Sequence, residues 1–154
     1  MDETDSLRST AITFLRIVLG LVFVFASINK LADPGAFAEA IGSYRIIAGT
    51  AALLVATVLP WIELLTGFGL LFGLFVRGSA LLAMIMLFGF TLAVLSALWR
   101  GLDISCGCFT LDPAAERIGW WKTAENALLF ITSFLILRQS SYGWSPGAMG
   151  GQNE

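Results

Sequence analysis

Apolar residues in this chain fall into four long runs, not into the alternating or three-four spacing of half-buried elements. Thr10 to Ile28 is the first, interrupted by Arg16 and a few small polar residues. The others are Ala48 to Gly73, which contains Pro60 and Glu63, then Ser79 to Trp99, and a last run over 121–138. At 1.5 Å rise per residue, about 20 residues cross the ~30 Å hydrocarbon core, so each run predicts a transmembrane helix. The expected fold class is all-α: a membrane-embedded four-helix bundle with a short interfacial helix after helix 1.

The polar stretches between the runs set the connections. Asn29 to Arg45 carries Lys30, Asp33, Pro34, Glu39 and Arg45, with Phe37, Ala38, Ile41 and Tyr44 at helical spacing. This predicts the short interfacial helix, with Asp33-Pro34 as its start signal. Arg77-Gly78 predicts a tight polar turn between spans two and three. Residues 100–120 form a loop carrying both cysteines, and Trp120, Trp121 and Lys122 mark the interface where span four begins. Residues 1–9 are an acidic tail without a signal-peptide cleavage pattern, so the first span is expected to be retained. Residues 139–154, rich in Gly, Ser and polar side chains, read as a disordered tail.

Composition agrees with lipid as the solvent: 57% of the 154 residues are hydrophobic and 13% charged, against roughly 25% charged in soluble domains. A formal charge of -2 with scattered Lys and Arg gives no footprint for nucleic acid. There is no histidine, which leaves thiols, carboxylates and amines as the reactive groups. Four spans put both termini on one side and the Lys30 to Arg45 segment on the other with the cysteine loop. Arg8, Arg77 and Arg138 lie on the first side, against Lys30, Arg45, Arg100, Arg117 and Lys122 on the second. That thin bias favours a cytoplasmic cysteine loop. Disulfide chemistry persists outside the cytoplasm and argues the reverse; a periplasmic loop with cytoplasmic termini, in a bacterial inner membrane, is the preferred expectation.

Cys106-Gly107-Cys108 holds the only two cysteines, one residue apart in a polar loop with Asp103, Ser105 and Thr110. A disulfide closing so short a ring departs from relaxed geometry and is easily reduced, which suits a donor of oxidising equivalents. The same two thiols could instead ligate a soft ion such as Cu(I), Hg(II) or Zn(II), and inert cysteines are the bland reading. Lys30 and Arg45 are candidates to favour thiolate at the loop, or to snorkel to headgroups. Glu63 lies deep in span two, where a carboxylate costs about 2.5–3.5 kcal/mol unless paired or protonated. Arg16 is its expected partner, either as a register-setting pair or in a proton or substrate role. Pro60 frees a carbonyl one turn before Glu63, and Lys122 is spaced to pair with Glu125.

The pattern Arg16-x3-Gly20, Lys30-Leu-x-Asp33-Pro34-x2-Phe37, Tyr44-Arg45, Leu59-Pro60-x2-Glu63-x3-Gly67 and Gly101-x-Asp103-Ile-x-Cys106-Gly107-Cys108-Phe109 resembles the methylamine-utilisation MauE proteins of the wider DoxX-like membrane superfamily. The resemblance covers about residues 10 to 138. It implies four helices and a role in handling thiols: MauE is implicated in disulfide formation in the exported methylamine dehydrogenase small subunit, and other DoxX-like proteins associate with thiol oxidation and quinones. The expectation that follows is a membrane thiol-disulfide oxidoreductase with Cys106 and Cys108 catalytic, supported by Glu63, Arg16, Lys30, Arg45 and Asp103. Its client is a periplasmic thiol protein. A quinone could accept the electrons, walled by Trp99, Phe109, Trp120 and Trp121, although interfacial aromatics more often serve as anchors. Quinone-linked disulfide generators relay through two cysteine pairs, so one pair here implies a second supplied by a partner or a single pair that meets both. The alternative is a carrier or accessory subunit binding a soft metal ion or reduced sulfur compound at the same cysteines.

Overall fold

A computed structural model of the chain describes residues 3–104 and 118–139. Five helices follow in order: α1 (Glu3–Ala32), α2 (Pro34–Ser43), α3 (Thr50–Phe72), α4 (Val76–Trp99) and α5 (Trp120–Gln139). Three of them, over Ser9–Ala32, Thr50–Phe72 and Val76–Trp99, are long and apolar enough to cross a membrane. Large apolar side chains such as Phe14, Leu65, Phe72 and Leu128 stand exposed on the outer faces, where water would be a poor neighbour and acyl chains a good one. The protein is a membrane protein. α5 has the length, but Lys122, Glu125 and Asn126 in its first two turns dilute its apolar character.

α1 packs antiparallel along α3, α4 along α5, and α2 folds back onto α3. Small residues let α1 and α3 approach closely. A Cβ on Gly67 would lie 2.9 Å from the Gly20 carbonyl and 2.8 Å from Val24, and one on Gly20 would lie 3.0 Å from the Gly67 carbonyl. This crossing fixes the register: Gly20 faces Gly67, and further down the same seam Arg16 faces Gly73. Leu19, Phe23, Leu70, Ala80, Ala83, Leu87 and Ile136 form the core at the level below.

The interfacial helix begins as its sequence predicts. Asp33 is the N-cap of α2, its Oδ1 accepting the Ala36 N–H at 2.9 Å, and Pro34 opens the first turn. Two connections differ from expectation. α1 does not end at Ile28 but continues to Ala32, carrying Lys30 inside the helix. The turn between α3 and α4 is not Arg77-Gly78 but Gly73 to Phe75, with Gly73 at φ 72° and Phe75 at φ 49°, and Arg77 and Gly78 belong to the first turn of α4. The turn is built of apolar residues, Leu74 and Phe75, that hydropathy cannot tell from a span.

Candidate functional site

Near the end of the bundle where α1 and α4 finish and α5 starts, the helices enclose a polar layer. Lys30 in the last turn of α1 donates from Nζ to both carboxylate oxygens of Glu63, at 2.6 and 2.8 Å. Both residues are buried, at 6% and 8% exposure, so the pair is held out of both water and lipid. The Phe37 ring of α2 lies 5.1 Å from Nζ and supplies a cation–π face. Lys30 also sits where the α1 carbonyls end, which favours a cation.

This arrangement corrects the expected Glu63–Arg16 pair. Arg16 faces Gly73, ten residues along α3 from Glu63, and ten residues of helix is about 15 Å. No arginine spans that distance. Arg16 instead lays its guanidinium against Gly73, with Nη1 3.1 Å from where a Cβ would stand, and its Nε is buried without a partner. Lys30 is therefore committed to Glu63 and is no free loop cation.

Around the pair are Ser27, fully buried and one turn before Lys30, and Thr66, 2% exposed and one turn after Glu63. On α5, Asn126 is buried, and Lys122 pairs with Glu125 at 3.0 Å, as its spacing predicts. The layer is roofed by a second tie. Arg100, the C-cap of α4, donates to the carbonyls of Tyr44, Arg45 and Ser96 and so joins α4 to the end of α2. Arg45 itself is exposed and takes a left-handed backbone, φ 54°, while Tyr44 is buried edge-on against Phe90. Burial pushes the Tyr44 hydroxyl up to about 12.

Ile118 N–H donates to the Ile104 carbonyl at 3.0 Å, closing the base of the segment that carries the cysteines. Cys106, Cys108 and Phe109 lie outside the described residues, as does the tail from residue 140. Asp103 is exposed at the start of that segment. Trp99, Trp120 and Trp121 are 96%, 77% and 82% exposed, displayed at the bundle's rim. Among the described residues no group of three or more acidic, Cys or His side chains converges as a metal site. The Lys30–Glu63 contact was readable in kind, since a deep carboxylate demands a cation, but not in partner.

The sequence model of the methylamine utilisation protein MauE family matches residues 8–139. MauE of Paracoccus denitrificans is 31% identical over 123 residues, 79% of this chain and 66% of that protein. MauE of Paracoccus versutus is 34% identical over 116 residues, 75% of this chain and 62% of its own. MauE of Methylophilus methylotrophus is 32% identical over 122 residues, 78% of this chain and 64% of its own. The chain thus spans just under two thirds of the length of these relatives. No solved structure matches it. A match running from the first turns of α1 to the end of α5 takes in every helix and the polar layer between them, and on it the chain belongs to the MauE family.

Proposed function

We propose that this chain is a multi-pass inner-membrane factor for disulfide maturation, working by thiol–disulfide exchange at Cys106 and Cys108 in a system akin to methylamine utilisation. The observation that carries the reading is the motif itself, the chain's only two cysteines standing one residue apart in the sequence. In the sequence the pair falls between Ile104 and Ile118, whose backbones are joined by a 3.0 Å hydrogen bond. Its family membership supports the same reading, since the relatives are named for methylamine utilisation.

In the forward reaction a client thiolate attacks the Cys106–Cys108 disulfide, forming a mixed disulfide. The client's second thiol then resolves it and leaves both cysteines as thiols. Reoxidation removes two electrons and two protons, taken by a partner disulfide or a quinone. In this reading α5 is the fourth span, its Trp120 and Trp121 anchors at the interface, and the cysteine loop faces the periplasm.

Intact cells treated with a membrane-impermeant thiol reagent before and after a mild reductant test the proposal by mass. The expected result is two added labels only after reduction, without lysis, and client disulfides lost in a Cys106→Ser, Cys108→Ser double variant. Labelling only after lysis overturns the periplasmic loop. Thiols that stay reduced and retain copper or mercury overturn exchange in favour of a soft-metal carrier.

A further inference from the structure

Two cations lie within the apolar stretch Ser9–Ala32 of α1, and only one of them has a counter-charge. Lys30 is paired with Glu63. Among the described residues no hydrogen bond or ion pair reaches Arg16, and its Nε is buried. The guanidinium is nevertheless held in place. Nη1, Cζ and Nη2 lie 3.1, 3.5 and 3.5 Å from where a Gly73 Cβ would stand, so the group occupies the room that a side chain at 73 would take. It keeps five N–H donors to offer, and a charged donor left buried without an acceptor costs more than about 1–3 kcal/mol.

No described carboxylate is placed to answer it. Glu63 holds Lys30 about 15 Å along α3 from Gly73, and Glu125 holds Lys122 at the other end of the bundle. Asp33 and Glu39 belong to the start of α2 and to α2, also at that end, and α4 contains no acidic residue. Asp5 is eleven residues from Arg16 on α1, about 16 Å along the helix.

The level of Arg16 identifies what can. It stands seven residues inside Ser9–Ala32, yet it is not deep in the membrane. α3 has 23 residues, about 34 Å of helix, which by itself crosses the hydrocarbon core, and Gly73 is its C-cap. Arg16 therefore lies at the edge of the core, and the first turns of α1 run on past it. A Cβ on Gly69, one turn before Gly73, would run into Ser79 Oγ, so α3 and α4 meet there. Counted from that contact, Arg77 stands within about 3 Å of the height of Gly73. Arg77 is exposed and makes this level more positive without touching Arg16. Phe72, Leu74 and Phe75 of the same turn are also exposed, an apolar surface beside the cationic one.

We propose that Arg16 binds the phosphate of an anionic phospholipid at the α1–α3 seam, in the leaflet that the α3–α4 turn faces. Its N–H groups donate to two phosphate oxygens, a geometry that arginine suits. Gly73 fixes the guanidinium, and the acyl chains run down the apolar exterior of the helices. Arg77 favours an anionic headgroup over a zwitterionic one through its charge at the same level. A soluble phosphate offers the same oxygens but nothing for the apolar surface. The site stands apart from any chemistry of the cysteines.

Native mass spectrometry of the full chain released from detergent, titrated with phosphatidylglycerol, phosphatidylethanolamine, diacylglycerol or glycerol phosphate, tests it. The expected result is a tight phosphatidylglycerol adduct, weaker phosphatidylethanolamine binding, and no competition from equimolar glycerol phosphate. Arg16→Gln weakens the phosphatidylglycerol adduct about tenfold. Arg45→Gln, which removes one charge from the opposite end, leaves it in place. Equal losses in the two variants, or diacylglycerol bound as tightly, overturn the proposal. Displacement by equimolar glycerol phosphate overturns the lipid as occupant. If Arg16→Gln does not fold, Arg16→Lys decides: it keeps the charge but not the paired donors, so about threefold weaker binding is expected, and unchanged binding overturns the site.

Discussion

Lys30 and Glu63 each depend on the other to be where they are. Removing one partner leaves an uncompensated buried charge, which costs about 3–5 kcal/mol, whereas replacing both with apolar side chains of similar size is close to neutral. Thermal unfolding in detergent is therefore expected to drop sharply for Lys30→Met and for Glu63→Met, and to recover most of the loss in the double variant. Arg16→Met, whose contact at Gly73 is about 15 Å from Glu63 along α3, is expected to add independently to either single change, within about 0.5 kcal/mol. Coupling between Arg16 and Glu63 would contradict the observed register. Tyr44 makes a different prediction at the same scale. Its folded-state hydroxyl is raised to about 12 from 10.0 by burial. The folded chain thus holds this proton more tightly than the unfolded chain does, and the associated stability is full below pH 10, declining as pH rises toward 12. Ultraviolet titration is expected to show one late tyrosinate component, which Tyr44→Phe removes.

Between elements, the α1–α3 seam is the contact with least room. A Cβ on Gly67 meets backbone, the Gly20 carbonyl and Val24 N, so the helices must part to admit it. Gly67→Ala is expected to destabilise by about 1–3 kcal/mol. Gly89 in α4 has open space around its Cβ direction, and Gly89→Ala is expected to be neutral or to stabilise by up to about 1 kcal/mol. Comparing the two melting shifts checks the seam. The helices themselves were legible because hydrocarbon thickness sets a minimum run length, and α2 was legible because Asp33-Pro34 is a start signal in its own right. The ends were less so. Asn29 and Lys30 read as loop because they are polar, yet a buried carboxylate on α3 lets α1 run on through them. The α3–α4 turn was hidden for the opposite reason: Phe75, 88% exposed, is an apolar residue in a turn.

At the scale of the whole molecule, the candidate site was legible as a demand but not as a contact. Glu63 announces that something cationic must reach it, and choosing between Arg16 and Lys30 takes the antiparallel register, which no single-chain pattern encodes. The outcome also changes the charge count across the membrane. Lys30 is an internal, paired residue, so the excess of loop cations on the cysteine side shrinks, and the positive-inside bias against a periplasmic loop weakens with it. Glu63 lies thirteen residues from the start of α3 and nine from its end, roughly midway across the span. With its carboxylate ionised, the pair carries no net charge and is indifferent to the membrane potential. Loss of either charge, as in Lys30→Met or Glu63→Gln, leaves one unbalanced charge inside the span, and the energy of that variant then depends on the membrane potential. A neutral pair is thus what lets two charges sit inside the span without coupling the fold to the membrane potential.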